Sequence, residues 1–159
     1  MSYGICHLSI VPLRAEPSDV SEMVSQVLFG EHLTVLEKTK KWSKIRVHFD
    51  GYEGFIDNKQ FLEIGENDFD RLSKSEFHYS SEIVNYVTDS GNYLSTISIG
   101  SRLPFLEDHR FKITDRALYY EGATFQGILS KKEIVYKAFL FLNTIQKIKL
   151  LFLKINLII

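Results

Sequence analysis

Beyond Trp42 the chain alternates: Ile45, Val47 and Phe49 fall on one side, Lys44, Arg46 and His48 on the other. Successive side chains of a strand point to opposite faces, so this spacing predicts a half-buried strand over residues 42–49. Asp50-Gly51 follows, and a glycine there accepts the positive φ of a tight hairpin, which returns as a strand over 52–56. Apolar runs bounded by turn residues predict further strands over 7–13, 24–29 and 33–38. Arg14-Ala15-Glu16-Pro17-Ser18-Asp19 between the first two is an exposed loop, and Gly30-Glu31 is a turn.

Residues 63–76 are polar, carry Glu63, Glu66, Asp68, Asp70 and Glu76, and show no sustained period. They read as a linker, with room for one helical turn over 68–72. The strand pattern then resumes over 83–87, turns at Asp89-Ser90-Gly91-Asn92, and continues over 94–99, 101–106, 111–114 and 117–120. Helical spacing begins only at Lys131, where Ile134, Val135, Ala138, Phe139, Leu140 and Leu142 recur on one side, with Ser130 as N-cap and Glu133 three positions later.

The two strand series repeat each other. Val27 to Glu37 set against Ile97 to Glu107 pairs Gly30 with Gly100, Leu33 with Leu103, Val35 with Phe105 and Leu36-Glu37 with Leu106-Glu107, all at one constant offset. Tyr52-Glu53-Gly54 also matches Tyr120-Glu121-Gly122, at an offset two residues shorter. Periodic self-similarity outranks local propensity in deciding architecture. The chain is therefore read as two copies of one small β unit: residues 1–64, a linker over 65–76, and residues 77–127. The start of a helix follows over 128–144, and a tail over 145–159. Units of about 65 residues lie near the lower limit for folding on one core, so contact between the copies is expected.

Leu13-Arg14, Gly30, Leu33-Thr34-Val35-Leu36, Trp42-Ser43-Lys44-Ile45 and Gly54-Phe55-Ile56 occur in the order and spacing of a bacterial SH3 domain, which residues 10–61 resemble. The second copy is looser, with Phe111 where the family has Trp and Ala123 after its Tyr-Glu-Gly, and its assignment rests on the internal repeat. The resemblance implies an all-β fold: two tandem SH3-like small barrels followed by a C-terminal α-helix. Two such domains before a helix resemble the front part of NlpC/P60 cysteine peptidases, which cut γ-D-glutamyl-diamino acid bonds of murein peptides. In that family the helix leads to Trp-Gly-Gly and Asp-Cys-Ser-Gly, whose Cys is the nucleophile. Here Ala138-Phe139-Leu140-Phe141-Leu142-Asn143-Thr144 is followed by neither motif. The chain as given is expected not to be an enzyme, with no catalytic residues.

Residues 145–159 contain only Ile, Gln, Lys, Leu, Phe and Asn, the types that A/T-rich codons supply, which points to out-of-frame or truncated sequence. The competing reading is an interfacial helix carrying Lys147, Lys149 and Lys154, the one place where the chain is expected to meet a membrane. The lysines interrupt a run already too short to span one.

A net charge of −1 supplies no basic field for nucleic acid, which is not an expected partner. The single cysteine excludes an intrachain disulfide and a cysteine zinc cluster. With no basic leader before an apolar run at the N-terminus, the cytoplasm is the expected compartment.

Candidate chemistry is thin. Cys6 and His7 are neighbours, and neighbours in a strand point apart, so the pair is no nucleophile and base. Free cysteine is usually a small buried group. His7, His32, His48, His78 and His109 show no ligand spacing, so no metal and no cofactor is expected. Asp50, Glu53 and Asp57 cluster at the first hairpin, where acids are ordinarily solvated. Exposed aromatics beside polar groups recognise sugars and peptides, which makes Trp42, Tyr52, Glu53 and Phe55 candidate ligand contacts. Trp42 as a core residue is the alternative. The resemblance implies a murein peptide or glycan fragment as the partner, recognised by a non-catalytic portion of a murein peptide hydrolase. The other reading, from a different class, is a protein-interaction or membrane-apposed adaptor.

Overall fold

A computed structural model describes residues 1–126; the helix expected from Lys131 and the tail over 145–159 lie outside the described residues. Among the described residues the fold is all-β, with one short helix. The first half holds β1 (Ser2–Cys6), β2 (Ile10–Arg14), β3 (Met23–Leu28), β4 (His32–Lys38), β5 (Trp42–Val47), β6 (Glu53–Asp57) and β7 (Phe61–Ile64). After α1 (Glu66–Lys74) come β8 (His78–Ser80), β9 (Val84–Asp89), β10 (Leu94–Ser98), β11 (Arg102–Leu103), β12 (Arg110–Ile113), β13 (Arg116–Tyr119) and β14 (Thr124–Gln126).

The repeat is real and larger than the sequence pattern shows, seven strands per half rather than five. The first half forms one sheet in the order β3-β2-β6-β5-β4-β1-β7, and the second half repeats that order as β10-β9-β13-β12 and β11-β8-β14. The break falls where β4 and β5 pair in the first half. Pro104 explains it: proline has no N–H for the ladder, so β11 stops at Leu103 and the strand expected to reach Leu106 is cut short. Phe105 then sits at φ +53°.

Backbone bonds around the central turns match one for one. Cys6 N–H donates to Glu31 O (2.8 Å) and Gly30 N–H to Cys6 O (2.9 Å). In the second half Ser80 N–H donates to Ser101 O and Gly100 N–H to Ser80 O, both at 2.9 Å. The Tyr-Glu-Gly match does not survive. Tyr52-Glu53-Gly54 leads into β6, whereas Tyr120-Glu121-Gly122 follows β13, and Tyr120 is buried with its hydroxyl on Ser80 Oγ (2.8 Å).

Two further expectations change. The strand expected over 7–13 is confined to β2: β1 ends at Cys6 and pairs with β4 and β7, while β2 begins only at Ile10 and pairs with β3 and β6. Phe49 leaves the inward face of β5: the strand ends at Val47, and the ring is 65% exposed, with the Arg102 guanidinium 4.8 Å away.

The polar linker folds as α1. Glu66 and Asp68 in its first turn and Arg71 and Lys74 in its last complement the helix dipole, and Asp70–Lys74 adds an i,i+4 pair at 3.9 Å. Few apolar residues dock it. Phe69 stacks on Tyr3 (4.2 Å between centroids), and Leu72 is buried.

The first half has a core of its own, including Cys6, Val11, Leu13, Val27, Leu33, Ile45 and Ile56. The second half does not. Its Val87, Ile97, Leu103, Phe111 and Leu118 form one cluster with Ile5 and Phe29 of the first half and Leu72 of α1. The halves meet at the glycine turn: Arg102 N–H donates to Phe29 O (2.8 Å), and a Cβ on Gly30 would collide with the Arg102 carbonyl. Above this contact Arg102, 4% exposed, lays its guanidinium against Phe49, Phe77 (4.6 Å) and Tyr79 (5.7 Å). His32, the residue matching Arg102 in the repeat, is fully buried and packs at a tilt against His48, with ring centroids 4.3 Å apart.

Gly30 has φ +78° and Gly51 φ +71°, but only Gly30 faces another chain segment. Alanine at either strains the backbone by about 1–2 kcal/mol. Gly30→Ala is expected to cost at least about 1 kcal/mol more than Gly51→Ala, since overpacking a filled contact adds about 1–3 kcal/mol; urea denaturation of the two variants checks this.

A second expectation concerns acid. Ser73 Oγ donates to Phe69 O (2.8 Å), so it accepts from His32 Nε2–H (3.2 Å), while His32 Nδ1 has no partner among the described residues. Burial, with His48 and Arg102 nearby, lowers the His32 pKa from 6.5 to about 3. The unfolded chain therefore takes up this proton first as pH falls. The His32 contribution is complete above pH 6.5 and is lost progressively toward pH 3. The His32 share of stability should drop by up to about 2 kcal/mol between pH 7 and pH 5, and His32→Leu should flatten the slope by that share in urea titrations.

Candidate functional site

The outward face of β9, β10 and β13 carries an aromatic cleft of about 550 Å³. Strand register builds it. Thr88 lies opposite Leu94 on one side and Tyr119 on the other, so the three share a row across the sheet. Tyr86, two residues before Thr88, stands on the same face, and Val87 between them points into the core. Tyr86 and Leu94 are exposed by 52% and 65%, Tyr119 by 38%. The Arg110 guanidinium packs on the Tyr119 ring at 5.5 Å.

A polar rim is fixed around this floor. Asp89 Oδ1 accepts from Gly91 N–H (2.9 Å) and Tyr93 N–H (3.0 Å), and Asn92 takes φ +62° to close the turn. Those bonds, the one from Tyr93 foremost, hold the Asp89 carboxyl below its usual pKa, and Arg116 at 3.4 Å adds to them. Asn85, Ser90, Asn92 and Glu121 complete the rim. Two phenol faces, an aliphatic floor and a ring of amides, hydroxyl and carboxylate suit a ligand with flat apolar faces and many hydroxyls or amides.

The four candidates from the sequence lie on the first hairpin and are not part of this cleft. Glu53 is committed to Arg46 (2.6 Å) and Lys44 (3.7 Å), and the hydrogen bond from Arg46 chiefly lowers its pKa. Phe55 is half-buried opposite Lys44, and Tyr52 stands 48% exposed at the turn. Trp42, only 8% exposed, lies under Lys41 with the ammonium 5.2 Å from its ring, which favours its core alternative. The three acids nearby serve separately: Asp50 accepts from Tyr52 N–H (3.0 Å) and Asp57 from Lys59 N–H (2.9 Å).

The sequence carries a local signal for the cleft. Tyr86 and Thr88 alternate with Asn85 and Val87 before Asp89-Ser90-Gly91-Asn92, which places polar and aromatic side chains outward on a strand. Tyr119 was hidden because its row is set by pairing with a distant strand.

Cys6 is fully buried, and desolvation pushes its thiol pKa up to about 12. Its sulfur donates to Leu8 O (3.4 Å), and His7 is outside β1. A thiol so protonated is a poor nucleophile. Among the described residues no group of three or more His, Cys, Asp and Glu is placed to hold a metal ion, and no helix is long and apolar enough to cross a membrane.

Two variants test these placements. Trp42→Ala should destabilise the protein by about 3–5 kcal/mol, as loss of a buried ring does; a change within about 0.5 kcal/mol, typical of exposed sites, would leave the ring free for a ligand. Cys6 should resist iodoacetamide at pH 8 in the folded protein and react on unfolding in urea.

Residues 13–61 match the family model of the bacterial dipeptidyl-peptidase Sh3 domain. No curated protein matches the chain. Among solved structures, an NlpC/P60 family protein from Bacillus cereus ATCC 10987 superposes with a TM-score of 0.68 at 15% identity, over 86% of this chain. The match spans 62% of that protein's length. By sequence the first half thus resembles a bacterial SH3 domain, and by fold the chain resembles an NlpC/P60 family protein.

Proposed function

We propose that this chain is the non-catalytic recognition portion of a murein peptide hydrolase of the NlpC/P60 type, and that the tyrosine cleft of its second half binds a murein fragment. The observation that carries the reading is the row Leu94, Thr88 and Tyr119 with Tyr86 beside it, an exposed aromatic floor inside a polar rim. The SH3 match over 13–61 and the fold shared with an NlpC/P60 family protein support this reading. Sugar rings present apolar faces to phenol rings and hydroxyls to amides, so the cleft favours the glycan part of such a fragment. The buried, protonated Cys6 thiol gives no route to hydrolysis from these strands.

The full chain should bind soluble disaccharide-peptide fragments of murein in calorimetric titrations. Tyr86→Ala and Tyr119→Ala should each weaken binding by about tenfold, the loss of roughly 1.4 kcal/mol of stacking. Tyr52→Ala should leave it unchanged. No cleavage of γ-D-glutamyl-diaminopimelate peptides is expected. Affinity that is absent in the parent chain, or unaffected in both cleft variants, contradicts the assignment, and hydrolysis lost in Cys6→Ser contradicts the non-catalytic reading.

A further inference from the structure

A second cleft, of about 410 Å³, lies between α1 and the turn joining β12 to β13. Its floor is apolar, made of Ile5, Ile64, Leu72 and Ile113, three of which belong to the shared core. Its two walls each carry both signs of charge. Asp68 and Arg71 face it from α1, Lys112 from β12 and Asp115 from the turn that follows. Glu63 at one end is paired with Lys38, so it adds no free charge.

We infer that this junction cleft binds a small zwitterion with an apolar body, a free amino acid or short peptide whose ammonium and carboxylate are both unblocked. Charge balance carries the argument. With Glu63 neutralised by Lys38, the walls hold two cations and two anions, so a lone cation or anion meets as much repulsion as attraction. A ligand bearing both charges can place each against its opposite across the cleft, which spans the size range of small-molecule sites. Lys112 and Asp115 are exposed, and for neither is an ion pair described. Arg71 and Asp68, 3.6 Å apart, are a solvent-exposed pair that a ligand can exchange cheaply. Two rim residues, Phe105 and Thr114, are held at φ +53°, a conformation non-glycine residues seldom keep, and Arg71 packs on the Phe105 ring at 5.1 Å.

The test is an NMR titration of the full chain with L-alanyl-L-leucine, run beside its N-acetylated, C-amidated form. The free dipeptide should shift the amides of Lys112, Thr114 and Asp115 saturably, and capping both ends should weaken binding by about tenfold or more. Lys112→Gln and Asp115→Asn, both at exposed positions, should each weaken it at least about threefold, as loss of one solvent-screened ion pair does. Tyr86→Ala, in the other cleft, should not, so this result is separable from the murein reading. Equal binding of the capped peptide, no saturable shift at these amides, or unchanged affinity in both variants overturns the proposal.

Discussion

The close approach of the Gly30 turn to the Arg102 backbone is the constraint on which the architecture rests. Only a residue without Cβ lets Phe29 O reach Arg102 N–H at 2.8 Å, and a positive φ is required there as well. That approach brings Ile5 and Phe29 into the second half's core and seats Arg102 among Phe49, Phe77 and Tyr79. A buried guanidinium needs partners, and three ring faces supply attraction that water would otherwise provide. The first half, with its own core, is the template; the second half, its sheet interrupted at Pro104, is completed by it.

Repeating one backbone plan while changing its side chains produces the functional asymmetry. Leu13 and Val87 serve the same inward place on β2 and β9, yet the outward faces diverge. In the first half the β5–β6 hairpin spends its polar groups on itself, with Arg46, Lys44 and Glu53 paired. In the second half Tyr86, Leu94 and Tyr119 stay uncovered by 38% or more, and recognition is proposed there. The junction follows the same logic. Where the first half places neutral His32 against His48, the second places a permanent cation, and the two lie in one aromatic neighbourhood through Phe77.

Period-two alternation and glycine-bearing turns made most of the strands legible in the sequence, because inward residues such as Ile45, Val47, Val87 and Ile97 obey it. Short strands escaped. β1, β7, β8 and β14 have three to five residues and owe their existence to pairing partners far along the chain, which no local window records. α1 escaped for a related reason: only Phe69 and Leu72 mark its docked side, and its charges, arranged for the helix dipole, looked like a solvated linker. The Tyr-Glu-Gly match misled because similarity of three residues carries no register. The candidate site was missed in the second copy for want of a tryptophan, although the outward tyrosines were there to read.

The central claim is that residues 1–126 fold as one cooperative body in which the second half depends on the first. Native-state hydrogen exchange of the full chain in rising urea measures it directly. The amides of Ile45 in β5, Arg102 at the crossing and Leu118 in β13 should converge on one unfolding isotherm of common free energy and slope. Exchange of Leu118 through a separate transition of lower slope, with Ile45 still protected, would contradict the account and make the halves independent domains.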